Sequence, residues 1–130
     1  MKVRWTQGSI RFRITPAEMR SLEQSQQIGV NLNVPGGAWE VVIAPSVQAA
    51  TDISLSGNVL TMRVSADDLR RLSDPQTEGI YFATETGQNL RYFIEKDFPC
   101  LHTRPPGAAE PPSETFKAPT GFAERHIRVC

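Results

Sequence analysis

The chain writes one pattern twice. GSIRFRITPAEMRSL, from Gly8 to Leu22, returns fifty positions later as NVLTMRVSADDLRRL, from Asn58 to Leu72. An ungapped comparison from Val3 to Gly37 gives six identical pairs: Arg13 and Arg63, Arg20 and Arg70, Leu22 and Leu72, Gln26 and Gln76, Gly29 and Gly79, Gly37 and Gly87. The apolar spacing recurs with the letters. Val3, Trp5, Ile10, Phe12 and Ile14 alternate with polar residues, and Ile53, Leu55, Leu60, Met62 and Val64 do the same. A period of two marks half-buried strands. Whatever fold this chain adopts must therefore be built from two like units.

Each unit continues in the same way. Thr15-Pro16-Ala17-Glu18 carries an N-cap, a proline at the first helical position and an acid able to reach back to the cap N–H. Ser65 and Asp68 repeat the cap and the acid, with Ala66 in place of the proline. Met19 and Leu22, then Leu69 and Leu72, place apolar residues on one face of a short helix. The first helix is expected to end in EQSQQ. Val30, Leu32 and Val34 alternate, and PGG (Pro35 to Gly37) makes a turn. Trp39, Val41 and Ile43 then mark a strand that Pro45 is expected to end. In the second unit Ile80 is matched to Val30 and Phe82 to Leu32. NLRYFIEKDF matches AWEVVIAPS with one residue of slack.

The expected fold class is α+β and β-rich: a tandem ββαββ repeat with pseudo-twofold symmetry and two short helices. The repeats cover residues 2–45 and 51–98 within one domain of residues 1–102. One unit alone would be marginal, because it cannot hide enough apolar surface. Two units can bury their faces on each other, first as a barrel and second as two packed four-stranded sheets. From residue 103 to 130 the text turns Pro-rich, with Pro105, Pro106, Pro111, Pro112 and Pro119 and no lasting period. This stretch reads as an extended or disordered tail. Phe122, Ile127 and Val129 within it could dock as a strand or short helix.

Composition narrows the function classes. Fourteen basic and fourteen acidic residues cancel, so no global field pulls the chain onto nucleic acid or membrane. No run reaches the ~18 apolar residues of a spanning helix. The opening MKVRWTQG lacks an apolar leader core, so the expected compartment is cytoplasmic. Two cysteines make no disulfide framework. There is no Walker sequence, His-Glu-x-x-His or Gly-x-Ser-x-Gly, and the reading leans against an enzyme.

Three local features carry candidate chemistry. Lys2, Arg4, Arg11 and Arg13 occupy the polar positions of the first hairpin, where they would form one positive stripe for phosphates or another anion. The alternative is a solvated face that discourages edge pairing. Arg13 and Arg63 precede the two helix caps and could hold anions there. The alternative is pairing within each unit, with Glu18 and Asp68 as acids. Cys100 and His102, with His126 and Cys130, could supply a set of four zinc ligands. Cys100 beside His102 could instead be a reactive thiol, or a small buried residue beside a surface histidine. The favoured function is a non-catalytic binding or interaction module with a protein or nucleic-acid partner. A nucleic-acid-binding regulator using the basic hairpin, or metal or thiol chemistry at Cys100 and His102, are the alternatives.

KVRW, GSIRFRIT and the following helix resemble the opening of the AbrB and MazE class of swapped-hairpin DNA-binding domains. The cradle-loop barrels have related hairpin-helix repeats. Together with EKDFPCLHTR (Glu95 to Arg104), the N-terminal strands are similar to a family of small uncharacterised bacterial proteins with a domain of unknown function. That resemblance covers about residues 1 to 105 and implies no catalytic residues.

Overall fold

A computed structural model describes residues 1–84, 89–99 and 114–122. The chain runs β1 (Lys2–Thr6), β2 (Ser9–Ile14), α1 (Pro16–Glu23), β3 (Ile28–Val34), β4 (Gly37–Ser46), then β5 (Asp52–Ser56), β6 (Val59–Ser65), α2 (Ala66–Ser73), β7 (Gly79–Ala83) and β8 (Arg91–Lys96). Both halves thus have the order β-β-α-β-β.

The strands form two four-stranded sheets, β1-β2-β8-β7 and β3-β4-β6-β5. Each sheet takes one hairpin from each half. The hairpins are antiparallel and the joints between halves, β2 with β8 and β4 with β6, are parallel. At the joints Phe12 stands opposite Ile94 and Met62 opposite Ile43. All four are fully buried, with Ile14, Leu22, Val64 and Leu72 around them. Full burial of such a side chain is worth about 1.5–3 kcal/mol, so the seam between the halves is also the centre of the core.

The two sheets do not close into a barrel. β1, β7, β3 and β5 remain edges. Between the β1 and β3 edges stand the rings of Trp5 and Trp39, edge to face at 4.5 Å.

The caps behave as the sequence implies, by two different routes. Thr15 Oγ1 accepts from the Glu18 N–H at 3.2 Å, and the Glu18 carboxylate accepts from the Thr15 N–H at 3.0 Å. The other Glu18 oxygen meets the Met1 ammonium at 2.7 Å. In the second half Ser65 Oγ accepts from the Asp68 N–H. Aspartate is one methylene shorter, and Thr51 bridges the gap. Its hydroxyl accepts from the Ser65 N–H at 3.0 Å and donates to Asp68 Oδ2 at 2.6 Å. Each cap is worth about 1 kcal/mol.

Two local expectations need correction. β4 runs through Pro45 to Ser46. Pairing with β3 stops at Ile43, and Pro45 pairs only with Val64 of β6. One side of the strand is open there, where a proline is tolerated. The second correction concerns register. Ile28 opposes Ile43 in one half, and Ile80 opposes Ile94 in the other. Ile80 therefore takes the place of Ile28, not of Val30, and Phe82 that of Val30, not of Leu32. A slip of two residues keeps every side chain on its face, whereas a slip of one would invert them all.

The chain after β8 is held by polar pins. Lys96 is buried, and its Nζ donates to the Asp74 carbonyl at 2.7 Å and lies 5.4 Å from the Phe116 ring. Asp97 is buried, donates its N–H to the Ile14 carbonyl and accepts from the Phe116 N–H. Phe98 packs on Phe122 at 4.6 Å and on Phe116 at 6.3 Å. Residues 114–122 therefore lie against the sheets. The expected boundary near residue 102 falls outside the described residues, as do Ile127, Val129 and Gly87.

Two outcomes test this architecture. A Cβ on Gly79 would sit 2.7 Å from the Ile94 carbonyl oxygen, a closer approach than at Gly29, where Val41 O would be 3.1 Å away. Gly79→Ala is expected to lower stability in urea by about 1–3 kcal/mol, and Gly29→Ala by less. Burial pushes the Lys96 ammonium below its usual value, partly offset by Asp74 and Glu23. Above the lowered value the folded chain has released this proton, while the unfolded chain keeps it to about pH 10.4. The unfolded state then binds more protons, so this group's contribution to stability rises with pH across that window. The stability difference between wild type and Lys96→Met should shift towards wild type there; a flat difference argues against a charged, buried Lys96.

Candidate functional site

Alternation along four strands turns one set of side chains away from the core of the β1-β2-β8-β7 sheet. The registers arrange them in three rows. Thr6, Ser9, Arg91 and Ala83 form one row, Arg4, Arg11, Phe93 and Tyr81 the next, and Lys2, Arg13, Glu95 and Gly79 the third. The middle row runs unbroken across the sheet, two guanidinium groups followed by two rings. Arg11 lies 5.6 Å from the centre of the Phe93 ring, and Phe93 meets Tyr81 at 5.3 Å, tilted by 58°. Tyr81 is 59% exposed. Burial, then the nearby Glu95, pushes its phenol above the usual value, so the ring stays neutral near pH 7.

The face is strongly basic although the chain is neutral. Lys2, Arg4, Arg11, Arg13 and Arg91 share its rows with one carboxylate, Glu95, while Asp97 reaches Lys2 and Glu78 acts on Tyr81 from outside the rows. Arg11 Nε comes within 3.1 Å of Glu95 and Arg13 Nε within 3.9 Å, while Lys2 meets Asp97 at 3.3 Å. The Arg11 Nε–H makes no hydrogen bond, so its pairing with Glu95 is a charge contact, not a locked fork. Arg4 and Arg91 form no ion pair among the described residues. On the other sheet the corresponding outward positions are Asp52, Ser54, Ser56, Val59, Thr61, Arg63, Glu40, Val42 and Ala44, which carry no such excess.

Four of the five candidate anion residues, Lys2, Arg4, Arg11 and Arg13, therefore share a face, and Arg63 does not. Arg63 is on the second sheet, bound to Asp52 at 3.1 Å and to the Ser54 hydroxyl. It pairs within its own half, with Asp52 in place of Asp68. Arg13 instead faces Glu95 of the other half. The parallel joints explain the difference: Arg13 stands opposite Glu95, whereas Arg63 stands opposite Ala44. Arg91, Phe93 and Tyr81 are not among the residues the sequence singles out. They are legible there only as strand residues, because nothing in the text says that β8 pairs with β2.

A second surface opens between the β1 and β3 edges. Val3, Trp5, Val30, Leu32, Trp39 and Val41 line an apolar cleft of about 510 Å³. Val30, Leu32 and Val34, expected on a half-buried face, are exposed, with Leu32 at 56%. Among the described residues no layer packs over the outer half of the β3–β4 hairpin. In the second half of the chain the corresponding pair is Phe82 opposite Tyr92, and these rings stack at 5.2 Å. Val30 opposite Val41 leaves that volume empty.

Cys100, His102, His126 and Cys130 fall outside the described residues. Of the EKDF segment that precedes them, Glu95 faces outward and Lys96 and Asp97 are structural pins. Among the described residues no group of three or more His, Cys, Asp or Glu could hold a metal ion. No described helix is long and apolar enough to cross a membrane.

Comparison with known proteins gives a family. A family model matches residues 1–120, beyond the reach of the resemblance in the strands and EKDFPCLHTR, and it takes in the docked Phe116. No curated protein and no solved structure matches the chain. The chain belongs to a family of unknown function, DUF7009.

Proposed function

We propose that the domain is a non-catalytic binding module that holds a single-stranded nucleic acid across the outer face of the β1-β2-β8-β7 sheet. The observation that carries this reading is the row Arg4, Arg11, Phe93, Tyr81. A strand of nucleic acid offers phosphates and bases in alternation. Cations meet the phosphates, and rings stack on the bases without requiring a particular sequence. A sheet face that carries the exposed Tyr81 ring beside the half-buried Phe93 ring suits unstacked bases, and not the grooves of a duplex. This extends the basic stripe of the first hairpin: Arg91 enlarges it and the two rings give it something besides charge. The neutral total charge makes the attraction local, so binding should be moderate and salt-dependent.

Fluorescence anisotropy with labelled single-stranded RNA and DNA oligonucleotides tests the proposal. Each stacked base is worth about 1–3 kcal/mol. Tyr81→Ala and Phe93→Ala should therefore each weaken binding about fivefold to a hundredfold, with little change in the salt dependence. Arg4→Ala should reduce the slope of log affinity against log salt by about one. Thr61→Ala, on the opposite sheet, should leave both unchanged. No binding at low salt, or binding indifferent to Tyr81 and Phe93, would exclude this face as the site.

A further inference from the structure

Among the described residues four strand edges are open, and the chain treats them differently. β1 carries Lys2 and Arg4, and β5 carries Asp52. Charges at an edge discourage pairing with another strand. β7 is uncharged, but its inward Ile80 is buried and its Phe82 is stacked on Tyr92. β3 is the longest of the four. It reads IGVNLNV without a charge, and Val30, Leu32 and Val34 stand exposed on one face. A chain that guards two edges and leaves its longest, most apolar one unguarded is expected to use it.

We propose that β3 is where a second copy of this chain pairs, antiparallel, across a twofold axis. The strand is complementary to itself. An antiparallel twofold centred near Leu32 sets Leu32 against its own counterpart and Val30 against Val34, with Asn31 and Asn33 together on the opposite face. Only the residue on the axis meets its own like, where a charge would face an equal charge; Leu32 there is apolar, and no other position of β3 carries a charge. Pairing satisfies the free ladder groups of both edges and covers the exposed apolar row beside the Trp5–Trp39 cleft. It also uses up both β3 edges, so the assembly stops at two. The axis stands perpendicular to the joined sheet, so both β1-β2-β8-β7 sheets lie on the same side of it. The dimer does not depend on the nucleic-acid reading.

Sedimentation over a concentration series, on the full chain, tests the pairing. Wild type should be dimeric at high concentration. Leu32→Glu and Leu32→Lys should each raise the dimer dissociation constant by about a hundredfold or more, as truncating a central interface contact does. Mixing the two variants should restore a dimer, because the opposite charges then face each other across the axis. Trp39, directly opposite Leu32, supplies a second readout: its emission should move to shorter wavelength as wild type associates. Asn33→Lys, on the polar face, provides a milder variant should Leu32 substitutions fail to fold, and should also weaken the dimer. A wild type that stays monomeric at every concentration, or a Leu32→Glu variant that remains dimeric, overturns the proposal.

Discussion

The pairing of β2 with β8 and of β4 with β6 is the constraint on which the rest of the structure rests. Both parallel joints bridge the two halves of the chain, and each carries a run of buried side chains opposite one another. Phe12 on Ile94 and Met62 on Ile43 fill the space between the sheets. Parallel neighbours cannot be joined by a tight turn. Each half therefore sends its first hairpin to one sheet and its second hairpin to the other, with a short helix between. Neither half can bury its core without the other.

The same joints decide what the outer surfaces carry. Bringing β8 beside β2 sets Phe93 next to Arg11 and Glu95 next to Arg13. Bringing β4 beside β6 sets Val42 next to Thr61 and Ala44 next to Arg63. One sheet gains a basic and aromatic face, and the other stays close to neutral. Exposed pairs such as Arg63 with Asp52 add little stability, about 0–1 kcal/mol. Their arrangement matters more for what can bind than for what holds the fold. Inside, Phe82 and Tyr92 fill one mouth of the sandwich with a ring stack, while Val30 and Val41 leave the other mouth open around Trp5 and Trp39.

Much of this is legible in the amino-acid sequence. Alternation finds β2 and β6 with their buried residues, and cap chemistry places both helices. It also puts Lys2, Arg4, Arg11 and Arg13 on one face of the first hairpin. The departures have physical causes. Pro45 reads as a stop because the sequence does not show that pairing with β3 ends two residues earlier on that side. Trp5, Leu32 and Leu55 read as half-buried because alternation reports which face a residue takes, not whether a second layer lies over it; Leu55 is 65% exposed. Asp68 reads as the counterpart of Glu18, but its shorter arm needs Thr51 to complete the cap.

The sequence by itself determined the elements, because strand alternation, helix caps and turns are written within a few neighbouring residues. It also determined which side of each strand is polar. The partners were decided only by tertiary structure, because the pairing of β2 with β8 joins opposite ends of the fold, Phe12 to Ile94, and leaves no local mark. For the candidate site that difference is decisive. Arg4 and Arg11 can be placed together from the first hairpin alone. Phe93 and Tyr81 join them only when the last hairpin folds back beside it.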